Sequence, residues 1–151
     1  MTDPSDDSTE RQRQVSTQFI EMLPHARALS MRIEDIGAGT ATVSMPYDEA
    51  LIGDPETGVI HGGAVSALMD TCCGAAVMVH PTGSLGTATL DLRIDYMRAA
   101  RPGRAITAVA TCYHVTRSVA FARATALDGD PDDPVASATG AFTLERSGRG
   151  A

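Results

Sequence analysis

Between Thr89 and Tyr96 the chain alternates strictly: Leu90, Leu92, Ile94 and Tyr96 against Thr89, Asp91, Arg93 and Asp95. A period of two belongs to a strand with one face buried, so 89–96 is predicted as a strand with two unlike faces. Arg101-Pro102-Gly103 predicts a turn into a β-rich run over 104–116. Arg117-Ser118 turns the chain again into 119–127, where every second residue is alanine, and a last strand over 134–144 follows the Asp-Gly-Asp-Pro loop.

The N-terminal half reads differently. Val15, Phe19, Ile20, Met22 and Leu23 have approximate helical spacing, which predicts a short helix over 11–23 that Pro24 stops. Strands are predicted over 31–36 and 40–45, joined by a turn at 37–39. A polar loop over 46–60, with Pro46, Gly53, Pro55 and Gly58, leads to His61-Gly62-Gly63 and a helix that His80-Pro81 ends. That helix is apolar or small on nearly every face, as a buried helix is. The order is helix, two strands, buried helix, then four strands with short connections. It favours an antiparallel sheet over βαβ units and an α+β fold in which the sheet curls about the central helix, a second subunit covers it, or both.

Composition narrows the class. At 151 residues and 43% hydrophobic, the chain is expected to form one domain. Residues 1–10 are acidic and polar and are expected to be a disordered tail. The domain is expected over 11–146, with 147–151 fraying. No apolar run approaches membrane-spanning length and the start lacks a signal-peptide pattern, so a cytoplasmic protein that does not engage membranes is expected. A net charge of -7 argues against nucleic-acid binding. All twelve basic residues are arginine, and six of them (Arg93, Arg98, Arg101, Arg104, Arg117, Arg123) fall between 93 and 123 against a single acid, Asp95. Guanidinium groups suit a phosphorylated small ligand. The acidic run from Asp128 to Asp133 is expected to be a solvated loop.

Candidate chemistry centres on Asp70, the one carboxylate in the central helix. Ser66, Ala67, Cys73 and Gly74, one turn either side, include no cation to neutralise it, and burying such a group needs a compensating role. The helix start is the second candidate, because Gly62-Gly63 exposes backbone N–H groups at an electropositive terminus. Asp70 lies about 12 Å further along by helix rise, so a facing subunit is needed to bring the two together. Other chemistries fit poorly. There is no Gly-x-Ser-x-Gly elbow, no histidine pair with metal-ligand spacing among His25, His61, His80 and His114, and no base beside Cys72. No metal site is expected, and Cys72, Cys73 and Cys112 are read as reduced packing residues.

The segment from His61 to Asp70, followed by Leu90-Asp-Leu-Arg-Ile-Asp-Tyr-Met97 and Arg101-Pro-Gly103, resembles the PaaI-like acyl-CoA thioesterases of the hotdog fold, from about Leu23 to Leu144. The resemblance implies a long curved antiparallel sheet wrapped around one central helix, and a homodimer with sites between subunits, commonly a dimer of dimers. By position, it implies Asp70 as general base or nucleophile, the Gly62 N–H polarising the thioester carbonyl, His61 shaping that turn, and Gly63 beside it contacting substrate. Thr89, on the strand face opposite the aliphatic residues, matches a hydroxyl that places the water. Arg117 and Ser118 match a turn near the CoA pantetheine and phosphates, with Arg98 and Arg101 as further candidates. One departure is that many relatives carry an asparagine or glutamine about six residues before the histidine, where this chain has Pro55 between Asp54 and Glu56; Glu56 is a candidate substitute.

The expected activity is hydrolysis of a medium-chain or aromatic acyl-CoA to free acid and CoA. No cofactor is expected, CoA being part of the substrate. The alternative is a hotdog protein that binds acyl-CoA without turning it over. A hydratase fits less well, since no histidine follows Asp70 within a few residues.

Overall fold

The computed structural model describes residues 4–146. Helix α1 spans Pro4–Met22 and α2 Pro24–Ala28. The hairpin β1 (Arg32–Gly37) and β2 (Thr40–Met45) follows. A 3-10 turn over Glu49–Leu51 leads into a second, small hairpin of β3 (Ile52–Asp54) and β4 (Val59–Ile60). Helix α3 covers Gly62–Met78, and β5 (Thr89–Tyr96), β6 (Ile106–Val115), β7 (Val119–Leu127) and β8 (Ala136–Thr143) complete the chain. Six strands form one antiparallel sheet in the order β1-β2-β6-β7-β8-β5, leaving β5 at an edge.

Three boundaries differ from expectation. The N-terminal helix begins at Pro4 rather than near Arg11, so residues 4–10 are helical instead of a disordered tail. Proline fits the first helical position, and Asp7 adds negative charge near the terminus, where the helix dipole favours it. Pro24 interrupts the helix only at Leu23 and then starts α2 by the same rule. The loop over 46–60 contains the β3–β4 hairpin. The expected ends at 1–3 and 147–151 lie outside the described residues.

The sheet holds α3 close because its inner face is mostly alanine. Ala41, Ala108, Ala110, Ala120, Ala122, Ala124, Ala126, Ala136 and Ala138 are all buried. Against them α3 buries Val65, Leu68, Met69, Cys72, Ala76 and Val77. Small side chains on the sheet leave room for the larger ones of the helix, and the close packing yields dispersion energy. The Cys72 thiol points at the carbonyl oxygens of Ala41 and Ala108, at 3.4 and 3.3 Å. Two adjacent rows of α3 escape this burial: Gly63, Ala67 and Thr71, and Gly62, Ser66, Asp70, Gly74 and Met78, the latter spaced by four residues and only half-buried. This second row faces β5. Among the described residues no helix is long and apolar enough to cross a membrane.

Candidate active site

The start of α3 is held from three sides. The His61 N–H donates to the Leu51 carbonyl at 2.8 Å, which ties the helix entry to the 3-10 turn. Gly53 lies so close that a Cβ there would stand 2.7 Å from the His61 Cα, so only glycine lets the β3–β4 hairpin press against this residue. His61 caps the helix, its Nδ1 accepting the Gly63 N–H at 2.8 Å. The Gly63 N–H is therefore spent inside the protein rather than offered to a ligand, which differs from the expectation for that residue. The Gly62 N–H has no partner among the described residues and remains the open donor of the terminus.

Two hydroxyl groups converge on the carbonyl of the Gly62–Gly63 peptide, whose N–H is the one bonded to His61. Tyr96 Oη donates to the Gly62 carbonyl at 2.8 Å, and Ser66 Oγ reaches it at 3.1 Å. The Ser66 and Tyr96 hydroxyls also touch each other. The Tyr96 ring lies 3.6 Å from where a Gly62 Cβ would be. Neither residue stood out as a candidate in the sequence. The available signals were that Ser66 lies midway between Gly62 and Asp70 on the four-residue stripe and that Tyr96 ends the aliphatic face of the alternating strand.

Asp70 has one described partner, Thr89, whose Oγ1 donates to Asp70 Oδ1 at 2.6 Å. No cation pairs with Asp70 among the described residues. Within the single chain Asp70 is half-buried. The Thr89 contact needs a local irregularity, because strict alternation would turn Thr89 away from the helix that Tyr96 faces. The β5–β8 register steps between Thr89 and Asp91, and this bulge brings both Thr89 and Tyr96 to the α3 side. Gly140, paired with Leu92, permits it: a Cβ there would meet the Asp91 carbonyl oxygen at 2.5 Å.

The arginine-rich stretch divides into two roles. Arg98 Nη1 and Nη2 donate to the two Asp128 carboxylate oxygens at 2.9 and 2.6 Å, and the Arg101 N–H adds a third bond to Asp128 at 2.9 Å. Asp128 is 2% exposed, not part of a solvated loop. The Arg98 guanidinium holds its carboxyl well below the usual carboxylate range. Arg98 thus fastens the segment after β5 to the β7–β8 loop, together with Asp133, instead of standing free for a substrate. Arg101 also pairs with Asp133, at 3.6 Å. Arg117 and Ser118 do sit in an exposed turn, and no described residue pairs with the Arg117 guanidinium. Arg146 Nε donates to the Arg117 carbonyl at 3.1 Å and the Leu144 N–H to the Ser118 carbonyl at 3.0 Å, bracing the turn from the end of β8.

The remaining candidates are inert. Burial pushes the Cys72 thiol up to about 12 and the Cys73 thiol higher still, so neither supplies a thiolate nucleophile near neutral pH. Among the described residues no three histidine, cysteine or acidic side chains gather as a metal site. The turn carrying Pro55 is closed by Asp54, which accepts from Thr57 Oγ1 at 2.7 Å and the Glu56 N–H at 3.1 Å, leaving Glu56 exposed. Two grooves flank the helix start. One of about 310 Å³ lies among His25, Leu29, Leu51, Ile52 and Ala67; the other, about 280 Å³, lies among Ile60, Gly62, Tyr96, Met97 and Val135.

Residues 57–135 match the family model described as "Thioesterase superfamily". The chain is 28% identical over 143 residues to the medium/long-chain acyl-CoA thioesterase YigI of Escherichia coli, covering 86% of this chain and 91% of that protein. A crystal structure of a Pseudomonas aeruginosa protein is 39% identical, superposes with a TM-score of 0.79, and is covered over 98% of its length by 87% of this chain. The Escherichia coli PaaI protein, from the phenylacetic acid degradation operon, has the same fold at 21% identity and a TM-score of 0.80, with 91% of this chain and 96% of that one aligned. The chain belongs to the thioesterase superfamily and is a thioester hydrolase with the hotdog architecture of the PaaI-like proteins.

Proposed function

We propose that the protein hydrolyses medium-chain or aromatic acyl-CoA thioesters to the free acid and CoA, at two sites shared between the subunits of a homodimer. The observation that carries this reading is Asp70 itself: a carboxylate on the open stripe of α3, hydrogen-bonded at one oxygen by Thr89 and, among the described residues, opposed by no cation. Asp70 takes a proton from the attacking water, which Thr89 helps to orient, while the thioester carbonyl of the substrate accepts the partner subunit's backbone N–H at the start of α3. The carbonyl carbon gains the water oxygen, the tetrahedral oxyanion collapses, the C–S bond breaks, and the CoA sulfur leaves with the proton. Water and these groups suffice, so the reaction as written needs no metal or redox cofactor.

The shared site follows from distance. Gly62 and Asp70 of one chain are separated by about 12 Å of helix, too far to hold one carbonyl between them. Edge strand β5, with Leu90 58% and Tyr96 49% exposed, is open for pairing with a second copy beside the half-buried stripe. Pairing of two dimers into a tetramer is part of the same proposal. Arg117, uncommitted at its turn, is the proposed contact for the CoA phosphates, with Ser118 beside it.

Thiol release from a panel of acyl-CoAs, measured for the wild type and Asp70→Asn, tests the reading. Loss of a positioned general base lowers kcat by roughly 10²–10⁴-fold, with acyl-CoA binding retained. Turnover untouched by the substitution contradicts it, and a wild type that binds acyl-CoA but releases no thiol makes the protein a binding module.

A further inference from the structure

We infer that Tyr96 is a positioning residue for the carbonyl-binding step, acting through the Gly62–Gly63 peptide; this rests on the reading of Gly62 as the oxyanion donor. Two consecutive glycines open α3, and glycine loses more backbone freedom on ordering than any other residue. A donor carried by such a segment is useful only if something else fixes it, because electrostatic stabilisation depends on dipoles already oriented before the reaction. The structure holds the peptide at both ends. Its N–H donates to His61 Nδ1 at 2.8 Å and its carbonyl accepts from Tyr96 at 2.8 Å. The preceding peptide is held too, the His61 carbonyl accepting the Ala64 N–H at 3.0 Å. Gly62 is thus pinned on both sides while its own N–H stays open.

The hydroxyl pair serves this carbonyl. Ser66 and Tyr96 carry one hydroxyl proton each, and their oxygens touch each other and the Gly62 carbonyl. With the Tyr96 proton on the Gly62 carbonyl, the contact between the hydroxyls takes the Ser66 proton. The Ser66 bond is local to the helix, a side chain reaching back four residues. Tyr96 comes from another element, edge strand β5, and therefore ties the helix start to the same strand whose Thr89 reaches Asp70. Its ring also lies against Gly62, 3.6 Å from where a Cβ would stand.

The test is Tyr96→Phe, which keeps the ring and removes the hydroxyl. Loss of one oriented hydrogen bond predicts kcat for acyl-CoA hydrolysis lowered roughly tenfold, with KM changed by less than about twofold and the unfolding temperature preserved. Amide hydrogen exchange at Gly63, whose N–H is bonded to His61 Nδ1, followed by NMR, is expected to accelerate by roughly the same factor, whereas exchange in the β6–β7 core stays as in the wild type. Ser66→Ala, with Tyr96 still in place, is expected to lose less than Tyr96→Phe. Unchanged kcat with unchanged exchange overturns the inference. A lowered unfolding temperature with exchange accelerated throughout the protein also overturns it, since that is the mark of a general packing role. If the wild type releases no thiol, the functional reading fails, and the exchange measurement alone decides whether Tyr96 holds the helix start.

Discussion

Among the described residues Asp70 accepts a hydrogen bond at one carboxylate oxygen, from Thr89, and none at the other. Thr89 orients it without neutralising it, since a hydroxyl adds no charge. Thr89→Val, nearly the same shape without the hydroxyl, is expected to lower kcat roughly tenfold, the scale of one lost hydrogen bond, and Thr89→Ser to restore most of it. Steady-state thiol release on one substrate checks both, and equal rates for all three proteins would remove Thr89 from the mechanism. Asp70 was legible in the sequence because a lone acid in an apolar helix has no cheap structural explanation. Tyr96 was not, because its hydroxyl matters only through a carbonyl 34 positions away in sequence. Arg98 misled for the converse reason: its buried partner Asp128 was hidden inside an acidic run that looked solvated.

At the level of elements, the bulge in β5 is the feature on which the site depends. It allows residues of opposite parity, Thr89 and Tyr96, to face α3 together. Gly140→Ala puts a Cβ 2.5 Å from the Asp91 carbonyl oxygen, so backbone must move. A destabilisation of about 1–3 kcal/mol is expected by denaturant unfolding, together with reduced turnover as Thr89 is displaced; a variant as stable and active as the wild type would show that the bulge does not need the glycine. The Asp128–Arg98 pair sets an acid limit on the fold. Its carboxyl titrates lower in the folded chain than in the unfolded one, so the pair's stabilisation is complete above the ordinary carboxylate pKa of about 4. It is lost as pH falls through the depressed folded value. Asp128→Asn should cost about 3 kcal/mol near neutral pH and flatten the fall in unfolding temperature below about pH 4; a parallel pH profile would contradict this. Element order and type were largely readable because alternation and turn residues are local signals. The bulge, the β3–β4 hairpin and the α2 turn were not, since each is decided by what the chain packs against.

For the whole molecule, the question is what covers the half-buried stripe of α3 and the open edge of β5. Under the proposed function a second copy answers both, with one subunit's Asp70 set against the other's helix start. Leu90→Lys puts a charge on an exposed edge position, a substitution that opposes strand pairing. It is expected to yield monomers by light scattering and to abolish turnover while the monomer stays folded; an active monomer would refute the shared site. Fold and family were readable at this scale, whereas partner geometry was not, because no residue within one chain reports it.

Complementation tests the shared site most directly. Gly62→Pro removes the open N–H and adds a ring whose Cβ meets Tyr96 at an ordinary 3.6 Å; proline suits the first helical position, and His61 at φ -57, ψ 134 already lies outside the helical region that a following proline disfavours. Thiol release is measured for Asp70→Asn dimers, for Gly62→Pro dimers, and for heterodimers purified with one subunit of each. The account predicts two nearly inactive homodimers and a heterodimer with about half the wild-type rate, since one of its two symmetry-related sites receives Asp70 from one subunit and Gly62 from the other. A heterodimer no more active than either parent would contradict it.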